Sequence, residues 1–193
     1  MTPIGHLAVS LVVCDRIALR RWAVPSTAIA IGAVAPDMDI VLMPFGSFNA
    51  LHRVVTHNVF FVAAVALVVA AGTLVVHRTQ GGARVPWFTS ASASVRALLG
   101  ALVAGSLHLV VDAIMDNNPS NGMGIAWLWP LHEGFLHPFN IVPLANNPEG
   151  WDAPLRQLMT LLPGLAWEAP FVILALLLYR APLTALLVHL RRR

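Results

Sequence analysis

The 193 residues are 58% hydrophobic and only 11% charged, with a formal net charge of +3. An ordinary soluble domain carries about 25% charged residues, so this chain has too little polar surface to coat a soluble fold, and its mean hydropathy of +0.73 points to lipid. All twelve basic residues are arginines scattered between apolar segments; without a basic patch on one polar face, nucleic-acid binding is not expected.

In chain order, the first expected helix runs from Pro3 to Leu19 and ends at Arg20-Arg21. The residues before and around it lack a basic n-region and a small-residue cleavage site, so no cleaved signal peptide is expected. Trp22 to Ala35 is a short second span, about 21 Å at helical rise, stopped by Pro36. Val59 to Val76 is a charge-free third span of about 27 Å, close to a hydrocarbon core of roughly 30 Å. Ala97 to Met115 is the fourth. Arg156 to Tyr179 is the fifth, with Leu183 to Leu190 either extending it or lying in the interface. The two long connections are Thr79 to Arg96, rich in Gly, Ser and Ala, and Asp116 to Asp152, rich in Asn, Pro, Gly and Trp. The lone cysteine, Cys14, allows no intramolecular disulfide. The expected fold is all-α: a transmembrane helical bundle of about five spans, one membrane domain over residues 1–193, with 116–152 as an outer loop over a polar site.

Orientation follows from the arginines, because positive loops stay cytoplasmic. Arg16, Arg20, Arg21, Arg78, Arg84, Arg96, Arg180 and Arg191 to Arg193 fall on one side, leaving Arg53 and Arg156 opposite. That split calls for five crossings, the N-terminus outside and the C-terminus cytoplasmic. It also brings His6, Asp37, Asp39, His52, His57, His108 and Asp112 to one outer face, although no acidic residue or histidine was used to set it.

His108 and Asp112 are four apart and project from one helix face. Ionisable groups inside a membrane are costly, so they either lock two helices by a hydrogen bond or bind something. His52 and His57 are five apart, roughly 140° around a helix, and need a loop or partial turn to converge. Asp37 and Asp39 follow the helix-ending Pro36 and could equally cap the next element. Together these side chains form the imidazole and carboxylate set that suits zinc, manganese or iron. An open site of that kind activates water for hydrolysis, and two metals suit a phosphoester. No G-x-S-x-G nucleophile elbow or G-K-[ST] phosphate loop competes. His77 and His189 read as interfacial. His132, His137, Trp127, Trp129 and Trp151 belong to the outer loop, where they could touch substrate or the bilayer surface. Glu168, deep in the fifth span, either bonds a neighbouring helix or joins the site.

The order His6, Pro36-Asp37-x-Asp39, His52-Arg53-x-x-Thr56-His57, His108-x-x-x-Asp112, Gly124 and Trp129-Pro130 resembles the YdjM-like family of inner-membrane, metal-dependent hydrolases, over about residues 1–131. The resemblance implies a multi-pass inner-membrane protein, with a His/Asp content similar to zinc-dependent phospholipase C. The family usually has Ser after the second histidine of the His-Arg block. Here that position is Asn58, which has no hydroxyl and is given no covalent role.

Two functions compete on these residues. The first is a membrane-bound metal-dependent hydrolase holding one or two divalent ions, zinc foremost. Its metal ligands would be His6, Asp37, His52, His57, His108 and Asp112. Asp39 would be a supporting or bridging carboxylate or the general base, and Arg53 would hold an anionic group such as a lipid phosphate. The second is a non-enzymatic metal or proton carrier, or a scaffold with a structural metal. Transporters place their ionisable groups near the bilayer midplane, whereas these gather at one end.

Overall fold

Small residues decide how the helices meet. The structure, a computed structural model, describes residues 2–19, 22–45, 51–80, 87–115, 124–136 and 153–191. Within them lie five α-helices and no strand, only an isolated bridge between Ile125 and Leu136. Helix α1 is Pro3–Ser10, capped by the Thr2 hydroxyl on the Gly5 N–H and continued by a π-helical stretch over Leu11–Ala18. Helix α2 is Ser26–Val34, and the chain carries on through a 3-10 stretch, Ala35–Phe45. Helix α3 is Val59–Gln80, α4 is Trp87–Met115 and α5 is Pro154–Arg191.

Two of these helices, Val59–Gln80 and Thr89–Ile114 within α4, are long and apolar enough to cross a membrane; Pro3–Cys14 is a shorter apolar helix. On α3, Leu67 and Val68 are exposed, as residues facing lipid would be.

Helix α4 starts ten residues before the expected Ala97. The stretch 87–96 reads as a connection because it is rich in Ser and Ala, but small residues are what close membrane-helix packing requires. Ala93, Ala97, Ala101 and Ala104 are buried, and the Ser94 hydroxyl bonds the Ala70 carbonyl of α3. Against α2 the approach is closer still. A Cβ on Gly32 would collide with the Ala101 backbone, and one on Gly100 with the Val24 side chain. Cys14, Ile29, Ala33 and Ala104 fill the space between α1, α2 and α4. The second helix is shorter than expected, since 22–25 precede it outside the helix and the chain tightens into 3-10 turns from Ala35. Helix α5 runs on through Pro163, Pro170 and Pro182 to Arg191 as one element.

Contacts fix the relative directions. Gly32 meets Ala101 and the Ala33 carbonyl meets His108, so α2 and α4 run parallel. Val62 meets Gly105 while Ala70 meets Ser94, so α3 runs against α4. Thr2 meets Glu168 while Ala8 and Val12 pack on Ala175, so α1 and α5 run together. Glu168 accepts from both the N–H and the hydroxyl of Thr2, at 2.6 and 2.5 Å. That answers the sequence question about this buried carboxylate: it bonds a neighbouring helix. Gly5 lies against the same carboxylate with no room for a Cβ.

Residues 116–123 and 137–152, including Asp116, His137, Glu149, Trp151 and Asp152, lie outside the described residues, as do Arg20, Arg21, Arg84, Arg192 and Arg193. Of the expected outer loop, 124–136 is described, and it is stitched to the segment before α3. Ala126 N–H donates to the Arg53 carbonyl at 3.0 Å, and Val59 N–H to the Trp127 carbonyl at 2.9 Å.

Candidate metal centre

The N-terminus of α1, the 3-10 stretch after α2, the turn before α3 and the last turns of α4 meet at one end of the bundle. They bring His6, Asp37, His57, His108 and Asp112 together, and none of the three histidines nor Asp112 is more than 1% exposed. Single ligand atoms of His6, Asp37, His108 and Asp112 all lie within 4.8 Å of one another, so this buried group can hold a metal ion. Asp112 is the hub. Its Oδ1 is 3.0 Å from His6 Nε2, and its Oδ2 is 3.3 Å from His57 Nε2, 3.5 Å from His108 Nε2 and 3.6 Å from the Arg53 guanidinium. The His6 and His108 rings stack with centroids 3.5 Å apart.

Proton positions show what this end of the bundle is suited to hold. His108 Nδ1 lies 2.7 Å from the Ala33 carbonyl. A carbonyl only accepts, so Nδ1 carries the proton and a neutral ring keeps its lone pair on Nε2. At His57 the Nδ1 partner is the Thr56 hydroxyl at 3.1 Å, which lies equally 3.1 Å from Asp39 Oδ2. Both Nε2 atoms then face carboxylate oxygens without a hydrogen bond; Asp37 Oδ1 is 3.5 Å from His57 and 3.7 Å from His108. Lone pairs and carboxylates turned on one another repel unless positive charge lies between them. Three buried carboxylates, Asp37, Asp39 and Asp112, gather here with the Arg53 guanidinium, which lies 3.6 Å from Asp112. Burial opposes charge on His57, yet the Asp112 and Asp37 carboxylates outweigh it and raise its pKa, so in the metal-free protein a proton on His57 supplies part of the positive charge whose place a metal ion would take. The donor set and its unsatisfied Nε2 atoms fit a cation.

Asp39 and His52 stand behind this group. His52 donates through Nδ1 to Asp39 Oδ2 at 3.0 Å, and its Nε2 accepts from Arg53 Nε at 3.4 Å. Its side chain is 19% exposed. Asp39 Oδ2 also accepts the Arg53 N–H at 3.3 Å. Burial opposes charge on Asp39, but these donors, His52 first, hold its pKa below the usual carboxylate value. Arg53 itself adopts a left-handed backbone, φ 65°. A non-glycine residue holds that conformation only where its surroundings fix it: the Arg53 N–H is bound by Asp39 and its carbonyl by Ala126.

Two residues named in the sequence motif play parts in this turn that the sequence did not reveal. Thr56 bridges Asp39 to His57. Asn58 caps α3 by accepting the Phe61 N–H at 2.8 Å, while its amide bonds the Val54 and Val55 carbonyls. The available signal was a run of polar side chains, Thr56 to Asn58, directly after Val54-Val55 and before an apolar helix. His132 lies exposed, accepting the Gly134 N–H.

The model of a family described as YdjM inner membrane protein matches residues 1–189. The chain belongs to that family. The match reaches well past the motif-bearing 1–131 and takes in most of α5, so the YdjM pattern includes the helix whose Glu168 holds the start of α1. A curated relative, the inner membrane protein YbcI of Escherichia coli (strain K12), is 26% identical over 179 residues, covering 85% of this chain and 92% of its own length. No solved structure matches the chain.

Proposed function

We propose that this YdjM-family protein is a membrane-bound, metal-dependent hydrolase acting on a phosphoester of a phospholipid or other lipid-linked substrate. The observation that carries the metal is the pair of buried Nε2 atoms, of His57 and His108, that face Asp37 and Asp112 without a hydrogen bond, with His108 Nδ1 committed to the Ala33 carbonyl. His6, Asp37, His57, His108 and Asp112 would hold the ion, zinc foremost, with His52 and Asp39 as the nearest groups for a second. When bound, such an ion supplies a Lewis acid and lowers the pKa of a coordinated water towards 7.

The chain's own residues supply the rest. The Arg53 guanidinium, 3.6 Å from Asp112, brings a fixed positive charge beside the cluster that suits an anionic phosphoryl oxygen. The partly exposed His52 marks the side from which a substrate would arrive. Trp127, Leu131 and Phe135, exposed on the segment stitched to Arg53 and Val59, offer apolar contact to an acyl chain beside a polar head. The parallel α2 and α4, the antiparallel α3 between them in sequence, and the arginine split support five crossings, with the site at the outer face and the C-terminus in the cytoplasm.

One observation favours a rival: the near-complete burial of His57, His108 and Asp112 also suits a scaffold with a structural metal. Zinc-loaded protein in detergent, screened against phosphodiester and lipid ester substrates, separates the two. The hydrolase reading expects chelator-sensitive turnover that Asp112→Ala abolishes; stoichiometric metal with no turnover on any substrate would leave the scaffold.

A further inference from the structure

A hydroxyl has one proton to give, and Thr56 sits between two groups that would each take it. Asp39 Oδ2 lies 3.1 Å on one side and His57 Nδ1 3.1 Å on the other. An ionised carboxylate cannot donate, so it claims the hydroxyl proton and leaves the Thr56 oxygen as an acceptor. Asp39 is well suited to that part, because His52 Nδ1 and the Arg53 N–H converge on the same oxygen and keep it ionised and fixed. His57 Nδ1 is itself 3.5 Å from Asp39, too long for a good direct hydrogen bond. The shorter route runs through Thr56.

We infer that Thr56 is a positioning residue: oriented by Asp39, its hydroxyl fixes the Nδ1–H form of His57 and turns Nε2 towards Asp37 and Asp112. The destination of Nε2 rests on the metal reading above; the choice of protonated nitrogen does not. Asp39 thereby acts through Thr56 and His57, as an orienting carboxylate. Without the hydroxyl, His57 is free to carry its proton on Nε2 and donate it to Asp112 or Asp37, which blocks coordination. Ala33 plays the matching part for His108 with its backbone carbonyl, which no side-chain substitution removes.

The test compares wild type with Thr56→Val, Thr56→Ala and Thr56→Ser, all labelled with 15N-histidine in detergent. Zinc affinity and the imidazole 15N spectrum are read on each. Partners that orient a ligating histidine are worth 10–100-fold in metal affinity, so Thr56→Val and Thr56→Ala are expected to bind zinc about 10–100-fold more weakly and to lose the His57 Nδ1–H signal. Thr56→Ser, which keeps the hydroxyl, should restore both. Wild-type affinity with an unchanged Nδ1–H signal in the Val or Ala variant overturns the inference, as does a Ser variant that behaves like Val. If wild type takes up no zinc, the metal reading falls, and the metal-free spectrum above the His57 titration decides alone. An Nδ1–H in wild type that Val removes sustains the relay, and an Nε2–H in wild type refutes it.

Discussion

His108→Ala separates a ligand from a packing residue, because the two roles lose their energies in different experiments. As a packing residue, the buried ring contributes its hydrogen bond to the Ala33 carbonyl and its stack on His6. Such bonds within membranes average about 0.6 kcal/mol, so the metal-free variant should melt only a few degrees lower. As a ligand, its loss should weaken zinc binding by at least about 100-fold, the upper end of what a supporting residue costs. Zinc at 100 times the wild-type Kd stabilises wild type by about 2.7 kcal/mol. At the same concentration the variant sits near its own Kd and gains only about 0.4 kcal/mol. At about 2–4 °C per kcal/mol for a chain of this size, the zinc-induced rise in Tm should be about 5–11 °C for wild type and about 1–2 °C for the variant. Thermal melts of detergent-solubilised protein with and without zinc measure both shifts. Equal zinc-induced shifts would remove His108 from the site, whatever happens to the metal-free Tm.

Gly32→Ala should lower Tm more than an ordinary surface change, because the added Cβ meets the Ala101 backbone, which cannot swing aside; overpacking costs about 1–3 kcal/mol, and an unchanged melt would contradict the α2–α4 packing. Glu168→Ala leaves the Thr2 N–H and hydroxyl without their carboxylate, and losing hydrogen bonds to a charged group of about 1.5–3 kcal/mol should loosen α1 and weaken metal binding through His6, read by hydrogen exchange of α1 and by zinc titration. A reporter fused after Arg193 should be active only in the cytoplasm, and a periplasmic signal would reverse the sidedness of the site.

The gathering of the histidines and aspartates at one end was legible because two independent patterns agree. The arginine split leads to the expectation of one shared face, and the spacing of His108 and Asp112 puts that pair on one side of a helix. Other features depend on contacts that no local pattern encodes. Residues 87–96 look like a connection by composition, and only α3 alongside, with its Ala70 carbonyl, makes that serine and alanine stretch a helix surface. The separation of His52 from His57 was likewise hidden. The left-handed turn at Arg53 sends His52 to Asp39 and leaves His57 facing Asp112, so two histidines of one motif face different partners. Thr56 gave no sign of its part, since a threonine's role is set by what lies on either side of its hydroxyl.

The central claim is that the buried His/Asp group holds a metal ion, and elemental analysis of the purified protein tests it most directly. The account predicts about one or two equivalents of a transition metal per chain, zinc foremost, falling sharply in Asp112→Ala. Less than about a tenth of an equivalent in wild type, even after reconstitution with zinc, would contradict it.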